Sequence, residues 1–206
     1  REPLDPVRFL GNRSSGKQGY AFATTAVARG ARVTLISANV SLPDPAGVRI
    51  VRVGTTEELR VATLAAAADA DAVVMAAAPA DFRPAEYASQ KIKKSETGEA
   101  PTITLAVNPD IAAELGERKR PGQVLVAFAA ETGADALANA QEKLVRKRAD
   151  LIVLNEVGPD RVFGQEWTSV TILGVDGSML ELPSRSKEDV AEAVWDLVAA
   201  RLAQPQ

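Results

Sequence analysis

The chain contains neither cysteine nor histidine in its 206 residues. These two residue types supply the commonest nucleophiles, general bases and transition-metal ligands of enzymes. Their absence excludes disulfide frameworks, structural zinc sites, cysteine proteases and Ser-His-Asp hydrolases. Catalysis must then use lysine, arginine, carboxylates, asparagine, hydroxyls, backbone amides, or hard cations bound by oxygen. These groups suit nucleotide and phosphate chemistry.

Basic charge and long apolar runs are also scarce. The formal net charge is -3 and the pI about 5.2, so the chain has no general basic surface for nucleic acid or an anionic membrane. No apolar run is long enough to span a bilayer, and the start shows no signal-peptide pattern. We expect a cytoplasmic protein that binds neither nucleic acid nor membrane. Its length suits a single domain, 1–206, with one sizeable α/β core.

A glycine-rich segment, residues 11–19, almost matches the phosphate-binding P-loop G-x-x-x-x-G-K-[ST]. It has Gln18 where the magnesium-binding hydroxyl would stand, and two prolines upstream favour a loop over the strand that a P-loop follows. A helix is predicted over 20–29. The N-terminus of a helix, with Lys17 nearby, can bind an anion without Walker chemistry. An ordinary helix cap explains the segment equally well.

Short apolar runs rich in β-branched residues alternate with helical patterns. This alternation predicts a Rossmann-like, three-layer α/β fold with a mostly parallel sheet covered by helices on both faces. Ligands of such sheets bind outside the carboxyl ends of the strands, where Ala77, Asn108, Ala130 and Asn155 begin their loops. Buried strands are predicted over 32–37 and 48–53, further strands over 72–76, 103–107, 124–129 and 151–155, and helices over 55–69, from 109 onward and over 134–148.

Two helix starts carry capping signals. Thr55 and Glu58 have the capping-box spacing. Asn108 precedes Pro109 and is the predicted N-cap of the next helix. Asp110 then falls in the first turn, where a carboxylate is favourable and where backbone amides can also meet a nucleotide base.

The C-terminal part follows a different pattern. Strands over 170–173 and 179–182 flank Asp176-Gly177, a strong hairpin-turn signal. A last amphipathic helix is predicted over 187–202 with Ser186 as its N-cap. We expect an antiparallel hairpin extension, 156–185, that either covers the edge of the sheet or joins two subunits.

The segment 77–101 shows no sustained helical or strand period and is predicted to be a mobile active-site flap. Its Lys91-Ile92-Lys93-Lys94 run places three ammonium groups in four positions. Neighbouring lysines repel one another unless an anion such as a triphosphate joins them, although a solvated surface run explains the same pattern. Closure of the flap would also exclude water from a reaction.

Two lysine patterns have more than one interpretation. Lys143 and Lys147 stand four apart on a predicted helix, so they can hold one phosphate chain or simply face solvent. Tyr87 and Lys91 match the Tyr-x-x-x-Lys pair of short-chain dehydrogenases, but that pair needs a helix, and no G-x-G-x-x-G follows a strand. An NAD(P)-dependent reductase and a non-enzymatic nucleotide-binding module therefore stay open as alternatives.

Six short motifs occur in a fixed order: R-E-P-L-D-P-V-R, N-R-S-S-G-K, A-D-F-R-P, K-I-K-K, N-P-D-I and F-A-A-E-T. The chain thereby closely resembles bacterial phosphopantothenate-cysteine ligases, from the first residue to about Asn155 and more loosely beyond. The resemblance implies a ligase of coenzyme A biosynthesis that joins 4'-phosphopantothenate to L-cysteine. It further implies CTP and Mg2+, an acyl-cytidylate intermediate, and release of pyrophosphate and CMP.

The resemblance also implies a homodimer or a larger assembly through a fused flavin-dependent decarboxylase, and nothing in this chain resembles that partner. Family members begin with an apolar strand and a Gly-Gly-Thr turn before the Arg-Glu-Pro motif. This chain starts without either, from which we expect a truncation.

The resemblance assigns roles to individual residues. Asn12 corresponds to the asparagine that supports the acyl-cytidylate step, and Lys91 to a flap lysine needed at the active site. The substrate-binding residues are Arg8, Ser14, Ser15, Gly16 and Lys17. The nucleotide contacts fall on Met75, Ala76, Ala77, Asp81, Pro109, Asp110, Ile111, Ala112, Phe128, Lys143 and Lys147. No metal ligand is indicated.

Overall fold

The computed structural model describes residues 1–94, 98, 100–131, 133–156 and 167–204. The strands are β1 (Glu2–Pro3), β2 (Phe9–Leu10), β3 (Thr34–Ala38), β4 (Arg49–Val53), β5 (Ala72–Met75), β6 (Phe82–Pro84), β7 (Leu105–Val107), β8 (Val124–Glu131), β9 (Leu151–Glu156), β10 (Trp167–Gly174) and β11 (Met179–Ser186). The helices are α1 (Lys17–Ala28), α2 (Thr56–Ala67), α3 (Ile111–Arg118), α4 (Ala136–Arg146) and α5 (Lys187–Leu202).

A five-stranded sheet in the order β11-β10-β9-β8-β5 forms the centre of the fold. Strands β5, β8 and β9 are parallel, and β10 and β11 extend the sheet antiparallel. The structure thus confirms the predicted α/β fold and the C-terminal hairpin, whose turn contains Asp176 and Gly177. The predicted extension includes residues 157–166, which lie outside the described residues.

Alternate residues of β8 and β9 enter two apolar clusters, one on each face of the sheet. Val126 and Val153 are fully buried against α1 and α5, whereas Leu125 and Ile152 pack with α2, α3 and α4. This alternation is what a strand covered on both faces requires. Burying each such side chain stabilises the fold by roughly 1.5–3 kcal/mol.

Three predicted helix starts can be compared with the structure. The capping box of Thr55 and Glu58 is formed at the start of α2, and Ser186 caps α5 as predicted. The predicted cap of α3 was wrong, because its N-cap is Asp110, whose side chain accepts from the N–H of Ala113 at 3.1 Å. Asn108 instead donates to the carbonyl of Ala80 at 2.8 Å.

Strands β3 and β4 differ from the prediction of buried strands. They pair in parallel with each other, and within the described residues they make no ladder with the central sheet. Only Ser37 among their residues is buried. One face packs on the α2 cluster through Ile36 and Val53, and on the other face the hydroxyl of Ser37 is hydrogen-bonded to that of Tyr20 in α1 at 2.9 Å.

The predicted strand over 103–107 does not join the parallel sheet. It is shortened to β7, which pairs antiparallel with β6 from the segment predicted to be an irregular flap. Leu105 and Val107 of this two-stranded sheet are exposed. The proline-containing start, predicted as a loop, forms the small β1-β2 pair. Among the described residues, no helix combines the length and apolarity needed to cross a membrane.

Candidate active site

A cavity of about 710 Å³ opens at the carboxyl ends of β5, β8 and β9. The strand ends named from the sequence, Ala77, Asn108, Ala130 and Asn155, all contribute to its wall. The other predicted site residues on the wall are Ser14, Ser15, Gly16, Lys17, Met75, Ala76, Asp81, Pro109, Asp110, Ile111, Ala112, Phe128 and Lys147. The predicted residues Arg8, Asn12, Lys91 and Lys143 are not part of that wall.

The turn before α1 owes its shape to Gly16. This residue has φ of 77°, and a Cβ there would lie 2.5 Å from Cγ2 of Val40, so only glycine fits. Gly16 is the N-cap of α1, and the N–H of Lys17 donates to Oγ of Ser15 at 3.4 Å, so an ordinary helix cap and an anion site both stay open as interpretations. Gln18, at the Walker hydroxyl position, donates from Nε2 to the carbonyl of Lys187 at 3.0 Å, so this side chain ties two helices together.

Asn12 lies between two parts of the cavity wall. Its Nδ2 donates to the carbonyl of Ala78, in the loop after β5. Its Oδ1 accepts from the backbone N–H of Ser14 at 2.8 Å. The side chain therefore holds the 14–16 turn against the loop after β5. Both of its hydrogen-bond partners, Ser14 and Ala78, are residues of the cavity wall.

Arg8 and Lys91 are connected through a buried carboxylate. Arg8 donates from Nε to Oδ2 of Asp5 at 2.9 Å and from Nη2 to the carbonyl of Ile92 at 2.9 Å. The N–H of Ile92 in turn donates to Asp5 at 3.1 Å. Arg8 thus anchors the segment that carries Lys91, whose own side chain is exposed. Mobility of the rest of the flap stays a prediction, and residues 95–97 and 99 lie outside the description.

The two lysines predicted to act together are separated. Helix α4 ends at Arg146, so Lys147 is its C-cap and not part of the helix. Lys147 donates to Oδ1 of Asp110 at 2.8 Å on the cavity wall, whereas Lys143 is ion-paired with Glu131 away from it. Burial opposes ionisation of Asp110, but the bonds from Lys147 and the Ala113 N–H outweigh it and lower the pKa of Asp110.

A close backbone approach fixes where Lys147 stands. Gly116 of α3 packs against the end of α4, and a Cβ on it would lie 1.9 Å from the carbonyl oxygen of Lys147. Glycine is required here because the backbone of Lys147 lies too close for a side chain, and not because of the torsion angles of Gly116. The position of a cavity lysine therefore depends on a glycine in a neighbouring helix.

The C-terminal extension supplies wall residues that motif analysis missed. They are Trp167, Thr168, Ser169, Ser184 and Lys187. Thr168 donates from Oγ1 to Oδ1 of Asn155 at 3.3 Å, and Ser169 accepts from the N–H of Ser184 at 3.0 Å. One sequence signal was available for Lys187, because a lysine directly after an N-cap is placed at the unfavourable end of the helix dipole.

The fold and the site together define a Rossmann-like α/β protein whose cavity lies at the strand ends where this class binds ligands. Three lysines, Lys17, Lys147 and Lys187, line it, and the chain has no histidine or cysteine to contribute. Such a wall suits an anionic ligand.

The chain belongs to the DNA/pantothenate metabolism flavoprotein C-terminal domain family, whose model matches residues 1–202. It is 47% identical over 211 residues to the coenzyme A biosynthesis bifunctional protein CoaBC of Mycolicibacterium smegmatis, covering 98% of this chain and 51% of that protein. The CoaBC protein of Bacillus subtilis is 44% identical over 202 residues, covering 97% of this chain and 49% of that protein. The chain thus spans about half the length of the curated relatives it matches. The family indicated by the motifs is confirmed.

Solved structures show the same fold. The C-terminal domain of a coenzyme A biosynthesis bifunctional protein CoaBC superposes with a TM-score of 0.82 at 35% identity, covering 98% of this chain and 90% of that one. A Cab2 variant in complex with phosphopantothenate-cysteine superposes with a TM-score of 0.78 at 17% identity, covering 98% of this chain and 84% of that one. At that identity the second likeness concerns the fold alone.

Proposed function

We propose that this chain is the ligase of coenzyme A biosynthesis that joins 4'-phosphopantothenate to L-cysteine, with CTP as the activating nucleotide. The observation that carries the proposal is that residues from four of the six motifs meet at one cavity, together with the end of β5. The 14–17 turn, the 75–77 strand end and the 109–112 helix start all line it. Membership of the family, and relatives named for coenzyme A biosynthesis, support the same reaction.

The proposed reaction balances in two steps. A carboxylate oxygen of 4'-phosphopantothenate attacks the α-phosphorus of CTP, and the bond to pyrophosphate breaks. The amine of cysteine then attacks the acyl carbon, forms the amide, loses a proton and releases CMP. Neither step needs a nucleophilic side chain, which agrees with a chain that has no histidine or cysteine.

The residues of this chain would act by stabilising charge. Lys17 and Lys147 face the cavity and can neutralise the phosphates. Lys91, held next to the anchored Ile92, would reach the reacting phosphate when the flap closes. Asn12 would donate its amide to the acyl oxygen in place of the carbonyl of Ala78.

Mg2+ fits the donor set only together with the nucleotide. The described part of the chain has no group of three or more acidic side chains that could hold an ion. On the wall, Asp110 is already bonded to Lys147 and to the N–H of Ala113. Because Mg2+ usually takes one or two carboxylates plus substrate phosphates and water, Asp81 would hold it with the phosphate oxygens. There it would stabilise the departing pyrophosphate.

A pyrophosphate-release assay tests the function. The four nucleoside triphosphates are compared with 4'-phosphopantothenate present, first without and then with cysteine. The proposal expects cysteine-dependent CMP and pyrophosphate production, fastest with CTP. NAD(P)H binding without pyrophosphate release would favour a reductase, and nucleotide binding without turnover would favour a binding module; either result would contradict the ligase.

We further propose that the chain works as a homodimer, and that in the longer relatives the remaining half is the fused decarboxylase. Exposed apolar side chains on β10, β11 and their turn support an association surface: Trp167 is 60% exposed, Val175 61% and Met179 56%. Light scattering of the purified chain tests this, and a monomer at micromolar concentration would contradict it.

A further inference from the structure

Two lysines from distant parts of the sequence begin two neighbouring helices at the same cavity. Lys17 is the first residue of α1 and Lys187 the first residue of α5, and both line the wall. The hydrogen bond from Gln18 to the carbonyl of Lys187 joins the two helix starts directly. About two turns further along α5, Trp195 donates from Nε1 to the carbonyl of Phe22 at 3.1 Å. The relative positions of the two lysines are therefore fixed by packing.

The position of Lys187 is unfavourable for a cation. Its ammonium is partly buried and lies at the positive end of α5. Burial, and after it the charge of Lys17, lower the pKa of Lys187, and the opposing effect of Glu188 does not cancel them. The other acid in the first turn, Asp189, is engaged in the capping box with Ser186.

No carboxylate compensates this charge in the part of the chain that the structure describes. No ion pair joins Lys187 to a described acid, and α1 has no acid in its first turn. Surface lysines normally avoid such a place by moving into water. Lys187 instead stays half-buried in the wall of the cavity, which is characteristic of a group whose partner is a ligand.

We propose that Lys187 binds a phosphate group of a substrate, together with Lys17, at the corner of the cavity between α1 and α5. The wall of the same cavity carries the hydroxyls of Ser14, Ser15 and Ser169, which can donate to phosphate oxygens. This inference rests on the proposed function. It adds a substrate contact from the C-terminal extension, where none of the six motifs lies.

The shared chemistry is a phosphate oxyanion, which is present both in the nucleotide triphosphate and in the phosphate monoester of the acid substrate. The two sources are separated by measuring KM for CTP and for 4'-phosphopantothenate independently in Lys187→Met. We expect one of the two KM values to rise about tenfold or more while Lys187→Arg stays within about threefold of wild type. Arg185→Gln is the matched control, because it removes a nearby exposed cation that does not line the cavity.

Two further readouts use no turnover. The dissociation constant of inorganic pyrophosphate, measured by calorimetry, should rise in Lys187→Met but not in Arg185→Gln. The Tm of the ligand-free protein should be unchanged or higher in Lys187→Met, since a half-buried cation is removed that has no ion pair with an acid in the described part of the chain. A wild-type protein without ligase activity would contradict the proposed function. The pyrophosphate measurement would still test the binding role of Lys187 in that case. Wild-type KM values and pyrophosphate affinity in Lys187→Met would overturn the inference.

Discussion

The carboxylate of Asp5 accepts a hydrogen bond from the backbone N–H of Ile92 at 3.1 Å, across 87 residues of sequence. The Asp5 side chain is completely buried, and its other oxygen accepts from the N–H groups of Val7 and Arg8 at 2.9 and 2.8 Å. The hydrogen bonds of the Arg8 guanidinium hold the pKa of Asp5 well below its usual range. The residue next to Lys91 is therefore attached to a carboxylate that stays ionised throughout the physiological pH range.

Asp5→Asn is expected to slow turnover without abolishing folding. In either orientation the amide NH2 faces N–H donors, either those of Ile92 and the Arg8 guanidinium or those of the Val7 and Arg8 backbone, so the segment carrying Lys91 shifts. A displacement of about 1 Å at a catalytic group costs roughly 10²-fold, and we expect a loss of about 10- to 100-fold in kcat. Asp44→Asn, which removes an exposed carboxylate paired with Arg52, is the control. Equal activities of the two variants would contradict the positioning role.

Lys91→Ala and Asn12→Ala are each expected to lower kcat by about 10²-fold or more, as loss of one positioned donor does. Lys91 is exposed, so its variant should unfold at the wild-type urea concentration. Lys94→Ala removes another exposed lysine of the same run and should cost much less. The steady-state rate of CMP formation measures all three. Wild-type turnover in Lys91→Ala would remove that residue from the mechanism.

The same substitution should have opposite effects at two helical glycines. A methyl group at Gly116 would meet the carbonyl oxygen of Lys147 at 1.9 Å, so Gly116→Ala should destabilise the protein by roughly 1–3 kcal/mol. At Gly19 the nearest atom would be the Cβ of Ala76 at 3.7 Å, an ordinary contact. Gly19→Ala should therefore stabilise α1 by roughly 0.5–1 kcal/mol. Urea unfolding checks both signs, and a stable Gly116→Ala protein would show that α3 and α4 are free to move apart.

Acid should weaken the contact between α2 and α3. Arg60 donates from Nη2 to Glu114 at 2.8 Å and lowers the pKa of Glu114 below its ordinary 4.5. A carboxyl whose pKa is lower in the folded state contributes stability above its unfolded pKa and loses it as the pH falls through the folded value. Glu114→Gln should flatten the decline in unfolding free energy between about pH 5 and pH 3. Glu117→Gln, at an exposed position of the same helix, should leave the decline unchanged.

Local sequence signals predicted a structural element well wherever all the interactions that form the element lie within one short segment. The box of Thr55 and Glu58 and the cap at Ser186 need only side chains three residues apart, and both are present. Strands β8 and β9 were located by continuous apolar runs, because both of their faces are covered. Local sequence could not decide whether Asn108 or Asp110 is the N-cap of α3. The outcome depends on the hydrogen bond from Asn108 to the carbonyl of Ala80, which lies in a loop distant in sequence.

The site was less accessible to sequence reasoning, because its parts meet only in three dimensions. The strand ends identified the correct edge of the sheet, and the cavity lies there. The partners of Lys143 and Lys147 depend on where Glu131 and Asp110 fall, which helical spacing does not reveal. The wall contributed by Thr168, Ser169 and Lys187 depends on β10 pairing with β9, and no motif marks that register.

The joining of α1 to α5 has a consequence for synthesis of the protein on the ribosome. Phe22 packs edge-to-face on Trp195, with ring centroids 5.6 Å apart. The packing of α1 is therefore complete only after α5 has been synthesised. Until residues up to Val198 have left the exit tunnel, the side of α1 that packs on α5 is uncovered and the cavity lacks Lys187. A nascent chain therefore exposes this apolar surface until α5 has emerged, and only then has the complete cavity wall that would bind its ligand.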